Sequence, residues 1–172
     1  MVLVVDKHDG PTSFDIVRQV KRILGGDTKV GHAGSLDPFA TGVLVVLTGR
    51  ATKLSDALLT ADKSYRAWVK LGEATDTLDR TGEVEKTAPV PLLSEEKIRE
   101  VLAGLQGEWM QTPPMYSAKK VHGVRLYELA RQNIRVRRPP IAVQLHHLEL
   151  ISFADGVIEF DVSCSKGTYI RS

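Results

Sequence analysis

The sequence predicts an α+β fold with a mixed, largely antiparallel central sheet flanked by helices. Some segments place apolar residues three or four positions apart, which is typical of amphipathic helices, whereas others alternate apolar and polar residues, as strands with one wet face do. The two kinds of segment follow one another without the regular strand–helix–strand order of parallel sheets. We expect one domain over residues 1–172.

The first part of the chain predicts a strand, a helix, a loop and a second strand. Residues 3–5 form a short apolar run typical of a buried strand, and Ser13 suits the N-cap of the helix that follows. The glycines at 25–26 end this helix. A glycine-rich loop is expected at 31–38 and a buried apolar strand at 43–47. The apolar face of the helix consists of Ile16, Val17, Val20, Ile23 and Leu24.

The rest of the chain also combines predicted helices and strands. A helix is expected at 53–59, a strand with one wet face at 65–71, irregular structure at 111–114 and a short helix at 126–131. Ser94 begins a further amphipathic helix. The buried stripe of that helix is expected to be Ile98, Val101, Leu102 and Leu105. The last elements are two strands and the turn between them, at 143–151, 157–162 and 154–156.

Basic residues are concentrated in residues 119–138, which we call the basic segment. The chain has 23 basic and 21 acidic residues and a net charge of +2, yet this segment holds seven cations and one acidic residue, Glu128. Such a concentration on a nearly neutral protein indicates a surface for a polyanion, although a solvated loop with chance clustering gives the same pattern. The seven cations are Lys119, Lys120, Arg125, Arg131, Arg135, Arg137 and Arg138.

The composition excludes several classes of protein. The only cysteine, Cys164, cannot form an internal disulfide, which agrees with a reducing compartment, and its alternating neighbours predict a buried strand position. We expect no metal site, because the histidines are scattered and no Cys-x-x-Cys or His-x-x-x-His spacing occurs. Neither glycine-rich nucleotide-binding signature is present. No apolar run approaches the roughly 18 residues that cross a membrane, so we expect a cytoplasmic protein without a membrane partner.

Asp37 is the strongest candidate for a catalytic residue. Pro38 favours an extended backbone at residue 37, and Gly31 and Gly34 allow the loop to turn tightly or to approach a ligand closely. A carboxylate presented on such a loop is able to act as a nucleophile when ionised. An ordinary Asp-Pro turn explains the same spacing equally well.

The loop around Asp37 also carries a resemblance to a known family. Residues 31–38 (GHAGSLDP) with 40–42 (ATG) resemble the catalytic motif of the TruB family of pseudouridine synthases. Four more blocks resemble motifs of that family and occur in the expected order. They are 6–13 (DKHDGPTS), 63–66 (KSYR), 113–120 (PPMYSAKK) and 165–171 (SKGTYIR).

The resemblance implies the isomerisation of uridine to pseudouridine at position 55 in the T-arm of tRNA, without a metal or an organic cofactor. It assigns the essential aspartate to Asp37 and the tyrosine that stacks on the extruded base to Tyr65. Arg171 matches the arginine that pairs with the aspartate. Extrusion of a base from its stack costs a few kcal/mol of free energy, and stacking of that base on Tyr65 offsets about 1–3 kcal/mol of this cost. Attack at C1′ of the ribose, attack at C6 of the base and a route through a glycal all remain open.

The resemblance also implies contacts with the RNA. His32 matches a histidine associated with flipping the nucleotide, Tyr169 one that contacts the bound nucleotide, and Asp79 an acidic residue of the supporting polar network. Lys7 and Lys166 also match substrate-binding residues of the family, but these two matches are weaker. The basic segment resembles the family's RNA-gripping insertion, which predicts that its seven cations contact the phosphate backbone.

The resemblance further implies that tRNA is the partner, that no protein partner is obligatory and that the protein is a monomer. Members of the family continue past the arginine, so we expect the catalytic domain to be incomplete at its C-terminus and the small C-terminal RNA-binding domain to be absent from this chain. Two alternatives stay open: a non-catalytic RNA-binding or tRNA-folding module on the same scaffold, and a guide-RNA-dependent relative. A catalytic carboxylate at Asp37 would distinguish the enzyme from a binding module.

Overall fold

The computed structural model describes residues 1–117, 119–121, 123–132 and 134–171. Ala118, within the motif block at 113–120, lies outside the described residues, and so does Ser172. The chain divides into two compact units, Met1–Ala61 and Asp62–Ser172, which we call unit 1 and unit 2. The fold class is confirmed, since helices are combined with antiparallel sheets in both units.

Unit 1 contains a three-stranded antiparallel sheet. Strand β1 (Val2–Lys7) pairs with β3 (Gly42–Thr48), which also pairs with β2 (Val30–His32). The strands predicted at 3–5 and 43–47 are confirmed, whereas the expected loop over 31–38 begins two residues later, because Gly31 and His32 pair with β3. A 3₁₀ helix (Gly49–Leu54) and helix α2 (Ser55–Thr60) replace the single helix predicted at 53–59.

Helix α1 (Ser13–Ile23) is capped by Thr12, so the prediction of Ser13 as N-cap is wrong by one residue. The Thr12 hydroxyl accepts from the Asp15 N–H at 3.1 Å, and the Thr12 N–H donates to the Asp15 carboxylate at 2.9 Å, which together form a capping box. Ser13 is buried instead, and its hydroxyl contacts Leu36. The helix therefore begins where a reciprocal pair with Asp15 is available.

The apolar face of α1 is shorter than predicted. Ile16 is buried with Leu44 and Val46 of β3, and Val20 packs against that group. Ile23, by contrast, is 81% exposed at the helix end, and glycines with positive φ follow it. The three-stranded sheet covers only the first two turns of the helix.

The described elements of unit 2, in chain order, are β4 (Lys63–Lys70), β5 (Glu73–Thr75), β6 (Val84–Thr87), α3 (Glu95–Gly104), β7 (Gly107–Gln111), β8 (Lys120–Val121), β9 (Val124–Arg125), α4 (Leu126–Ala130), β10 (Ile141–Ala154) and β11 (Val157–Cys164). Four of these strands form an antiparallel sheet with the order β4–β11–β10–β7. The strand pairs β5–β6 and β8–β9 form separate hairpins.

Most predictions for unit 2 are confirmed. Strands β4, β10 and β11 and helix α4 occur where they were expected, and Ser94 caps α3. The prediction of irregular structure at 111–114 is wrong for Gln111, which ends β7. The β10–β11 turn fits its sequence, because Asp155 and Gly156 adopt φ of 52° and 73°, the two positive values that a tight hairpin turn needs.

The core of unit 2 lies between α3 and one face of the sheet. Ile98 and Leu102 of α3 are buried against Leu148 and Val162. Cys164 is buried in the same cluster, as its alternating neighbours predicted. Val101, predicted to be buried, is 52% exposed because it points away from the sheet side of α3. Within the described residues, no helix combines the length and apolar character needed to cross a membrane.

Candidate functional site

The loop that carries Asp37 is held to the N-terminal part of unit 1. The Gly10 N–H donates to the Pro38 carbonyl at 2.9 Å. The Leu36 N–H donates to the Ser13 hydroxyl at 2.9 Å, and that hydroxyl lies 3.2 Å from the Leu36 carbonyl. Asp37 is half-buried between these two anchored neighbours. The backbone on both sides of the carboxylate is therefore fixed by short hydrogen bonds.

Lys7 lies under the same loop. Its side chain is 0% exposed, and its Nζ donates to the carbonyls of Pro38 at 2.9 Å and His8 at 3.0 Å. Burial lowers the pKa of Lys7, while the carboxylates of Asp9 and Asp37 act in the opposite direction. Lys7 thus joins the loop by hydrogen bonds and interacts electrostatically with Asp37. Its predicted contact with substrate stays a prediction.

His32 ends β2 opposite Val46 of β3. The residue is half-buried, and its Nδ1 is buried without a hydrogen-bond partner among the described residues. A buried ring nitrogen without a partner is uncommon in folded proteins, and a bound ligand is one of the things that satisfies such an atom. The predicted role of His32 in flipping the nucleotide stays a prediction.

Arg171 is held by hydrogen bonds to several groups of unit 2. Its side chain is only 11% exposed. Nη1 donates to the Thr77 carbonyl at 3.1 Å and to Asp79 Oδ2 at 3.3 Å, and Nη2 donates to the Tyr116 carbonyl at 2.9 Å. A guanidinium held on two edges by three acceptors has a defined orientation, as charge-assisted recognition requires.

Asp79 pairs with Arg171, and its side chain is 7% exposed. Its Oδ1 accepts from the Thr77 hydroxyl at 2.9 Å and from the N–H and hydroxyl of Thr81 at 2.9 and 2.5 Å. Burial by itself raises the pKa of Asp79, but the hydrogen bonds from Thr81 and Thr77, together with the charge of Arg171, lower it below its usual value. Asp79 therefore stays ionised beside Arg171.

The remaining predicted residues of unit 2 lie on different elements. Tyr65 stands on β4 opposite Val162 and packs against the core cluster. Tyr169 is half-buried, and its backbone N–H and carbonyl are both bound by the side chain of Gln111. Lys166 is exposed in the turn after β11. Sequence reasoning missed Gln111, whose only signal was its position immediately before the Thr-Pro-Pro stretch.

The basic segment folds into the β8–β9 hairpin and α4. Arg125 and Arg131 both lie over the ring of Tyr127, 5.8 and 5.4 Å from its centre, and Arg125 Nη1 donates to the Tyr127 hydroxyl at 2.8 Å. Leu126 anchors α4 and is fully buried. The described residues of the segment therefore expose two guanidinium groups that lie over one aromatic ring.

The other side chains that were predicted to contact the RNA backbone differ in their exposure to solvent. Arg135 is largely exposed, 3.6 Å from Glu85, and Arg137 is exposed. Arg138 is half-buried and donates to the Pro113 carbonyl at 2.9 Å, so it has a structural contact of its own. The Lys119 carbonyl accepts from the Leu126 N–H. Lys120 lies in β8.

Comparisons with known proteins give the family of the chain. A model of the "TruB family pseudouridylate synthase (N terminal domain)" matches residues 21–170. A tRNA pseudouridine synthase B from Bordetella avium is 50% identical over 99% of this chain and 70% of its own length. The chain belongs to the TruB family of pseudouridylate synthases. A tRNA pseudouridine synthase B from Caldanaerobacter subterraneus is also 50% identical, over 99% of this chain and 60% of its own length.

Solved structures relate this TruB family chain to larger assemblies. The fold matches that of a chain in a Cbf5-Nop10-Gar1 complex with a TM-score of 0.71 and 32% identity, over 99% of this chain and 41% of that one. It also matches a chain of an H/ACA RNP bound to a substrate RNA containing 2′-deoxyuridine, with a TM-score of 0.66 and 29% identity, over 99% and 39% of the two chains. This TruB family chain thus spans about two fifths of each of these neighbours.

Proposed function

We propose that this chain forms the uridine-isomerising part of a tRNA pseudouridine synthase that acts on position 55 in the T-arm. The observation that carries the proposal is the 50% identity with tRNA pseudouridine synthase B over 99% of the chain. The anchored loop of Asp37 and the fixed guanidinium of Arg171 support it, because nucleophilic attack on a glycosidic centre needs a carboxylate and a cation whose positions are defined.

The reaction breaks the N1–C1′ bond of uridine and forms a C5–C1′ bond to the same base, while C5 loses a proton to solvent and N1 takes one up. Asp37 begins the reaction as an ionised carboxylate, by attack on C1′ or C6 or by removal of the C2′ proton, which forms a glycal as the base leaves C1′. Lys7 and Asp37 attract each other electrostatically, which favours the charged form of Lys7. Tyr65 stacks on the base after it has left the helix, which returns part of the free energy of unstacking.

Binding of the RNA backbone is assigned to the basic segment. Arg125, Arg131, Arg135 and Arg137 are exposed cations, and an exposed guanidinium is able to pair with a phosphate oxygen through two N–H groups. Phosphate contacts give an affinity that decreases as the salt concentration rises, and they do not discriminate between bases. Selection of the uridine therefore belongs to the predicted nucleotide-contacting residues, His32 and Tyr169.

The test uses full-length protein, a T-arm stem-loop labelled with tritium at C5 of the target uridine, and release of tritium to water as the readout. We expect Asp37→Asn to abolish release while tRNA affinity stays within about twofold, since only the nucleophile is lost. Asp27→Asn, in an exposed loop of the same unit, is the matched control and should be fully active. Robust turnover by Asp37→Asn overturns the assignment, and a wild-type protein that binds tRNA without releasing tritium supports the binding module instead.

A further inference from the structure

Gln111 connects the end of β7 to the segment that contains Tyr169 and Arg171. Its Nε2 donates to the Tyr169 carbonyl at 2.9 Å, and its Oε1 accepts from the Tyr169 N–H at 2.9 Å. One side-chain amide thus satisfies both backbone polar groups of a single residue 58 positions away. Two neighbouring strands satisfy each other in the same way, by exchanging an N–H···O bond in each direction.

The segment that follows β11 depends on such contacts because it forms no strand or helix. The Ser165 N–H donates to the Gln144 carbonyl at 2.8 Å, and the Ser165 hydroxyl accepts from the Gln144 N–H at 2.9 Å. The Thr168 hydroxyl donates to the Ser165 carbonyl at 2.9 Å. These bonds hold the beginning of the segment, and Gln111 holds it again at Tyr169.

Arg171 stands two residues after Tyr169, and its guanidinium is bound to acceptors on two other parts of unit 2. Thr77 and Asp79 come from the β5–β6 turn, and Tyr116 follows Gln111 by five residues. The backbone of the arginine's segment is thus fixed by Gln111 and its tip by three acceptors. Loss of the Gln111 bonds would remove the backbone contact nearest to Arg171, while the bonds of Ser165 and Thr168 remain.

We propose that Gln111 is a positioning residue that sets the backbone of Tyr169 and, through it, the location of Arg171. The inference rests on the proposed function, because it assigns Arg171 to the reaction. Only a carboxamide fits both Tyr169 groups: a carboxylate accepts but does not donate, and an apolar side chain of the same length does neither.

The test compares Gln111→Glu and Gln111→Met with the wild type in full-length protein, using the same tritium-release assay. Gln111→Glu keeps the shape but faces the Tyr169 carbonyl with an oxygen atom. We expect kcat to fall about tenfold to a hundredfold, as small displacements of a catalytic group cause, with KM for tRNA within about twofold. Gln106→Glu makes the same chemical change at an exposed position just before β7 and should leave both constants unchanged.

Hydrogen exchange at the Tyr169 amide supplies a second readout that does not depend on activity. We expect this amide to exchange at least tenfold faster in Gln111→Met, which has no oxygen to accept from the Tyr169 N–H, while amides of β10 keep their protection. If Gln111→Glu fails to fold, Gln111→Met is judged by kcat and by this exchange rate. A folded variant with wild-type kcat, or a Gln111→Met protein with an unchanged Tyr169 amide, overturns the inference. The proposed function fails separately, through an active Asp37→Asn protein.

Discussion

At the residue scale, the local partners of each carboxylate decide its charge. Asp79 is nearly buried, which alone would favour its neutral form, yet the hydrogen bonds from Thr81 and Thr77 and the charge of Arg171 outweigh burial. Asp15 is half-buried at the start of α1, and hydrogen bonds from Thr12 and Arg18 lower its pKa to about 2. Both groups therefore stay ionised at neutral pH for reasons visible within their own units.

The capping box of α1 predicts a pH dependence of stability. Because the folded pKa of Asp15 is about 2, below the usual 3.8, its contribution is complete above about pH 4 and is lost as the pH falls through about 2. Titration of the Asp15 carboxyl by NMR should give the low value, and Thr12→Ala should move it toward 3.8, because the largest cause of the shift is the Thr12 hydroxyl. An Asp15 midpoint near 3.8 in the wild type contradicts this account.

At the element scale, burial depends on which face of a helix the sheet covers. In α3, Ile98 is 4% exposed against Leu148 and Val162, whereas Val101, three residues later, is 52% exposed. Both were expected in one apolar stripe. The buried stripe of a short helix on a twisted sheet is narrower than its full set of apolar residues, because the sheet touches only one side of each turn.

This difference predicts two unequal alanine substitutions. Ile98→Ala should lower the free energy of unfolding by about 2–5 kcal/mol, since it removes buried methyl groups and leaves a cavity. Val101→Ala, on the exposed side of the same helix, should change it by about 0.5 kcal/mol or less. Urea titrations of the two variants measure both values. Equal losses would show that Val101 is as deeply packed as Ile98.

At the scale of the whole molecule, charge is unevenly distributed along a chain whose net charge is only +2. Among its described residues, the basic segment combines a buried apolar side chain, Leu126, with exposed cations. Arg138 differs from its neighbours because it also binds the Pro113 carbonyl. A test of phosphate binding by charge removal should therefore leave Arg138 in place.

Neutralising Arg135 and Arg137 to glutamine should weaken tRNA binding and make its salt dependence shallower. Removing one cation that pairs with a phosphate reduces the slope of log affinity against log salt by about one, so the slope of the double variant should be smaller by about two. Filter binding of tRNA to full-length protein over a range of salt concentrations measures the slope. Lys97→Gln with Arg99→Gln, on the exposed side of α3, is the charge-matched control. A slope equal to that of the wild type rules out phosphate binding by these two arginines.

Sequence reasoning located most elements of the fold and missed several long-range hydrogen bonds. The hairpin turn at Asp155 and Gly156 and the cap at Ser94 were predictable, because turn and cap preferences act over two to four residues. The cap of α1 was also local, because Thr12 and Asp15 form a reciprocal pair three residues apart, and the prediction of Ser13 overlooked that pair. Strand β7 was missed because its apolar and polar residues do not alternate cleanly.

The sequence by itself determined the fold class, the order of the main elements, the family resemblance and the identity of the candidate residues, since each of these depends on local spacing or on short motifs. Tertiary structure alone decided that Arg171 binds Asp79 and the Tyr116 carbonyl, and that Gln111 binds Tyr169. These partners lie 55 to 92 residues apart. No local preference encodes such a meeting, because it arises only when the strands and turns that carry the partners pack together.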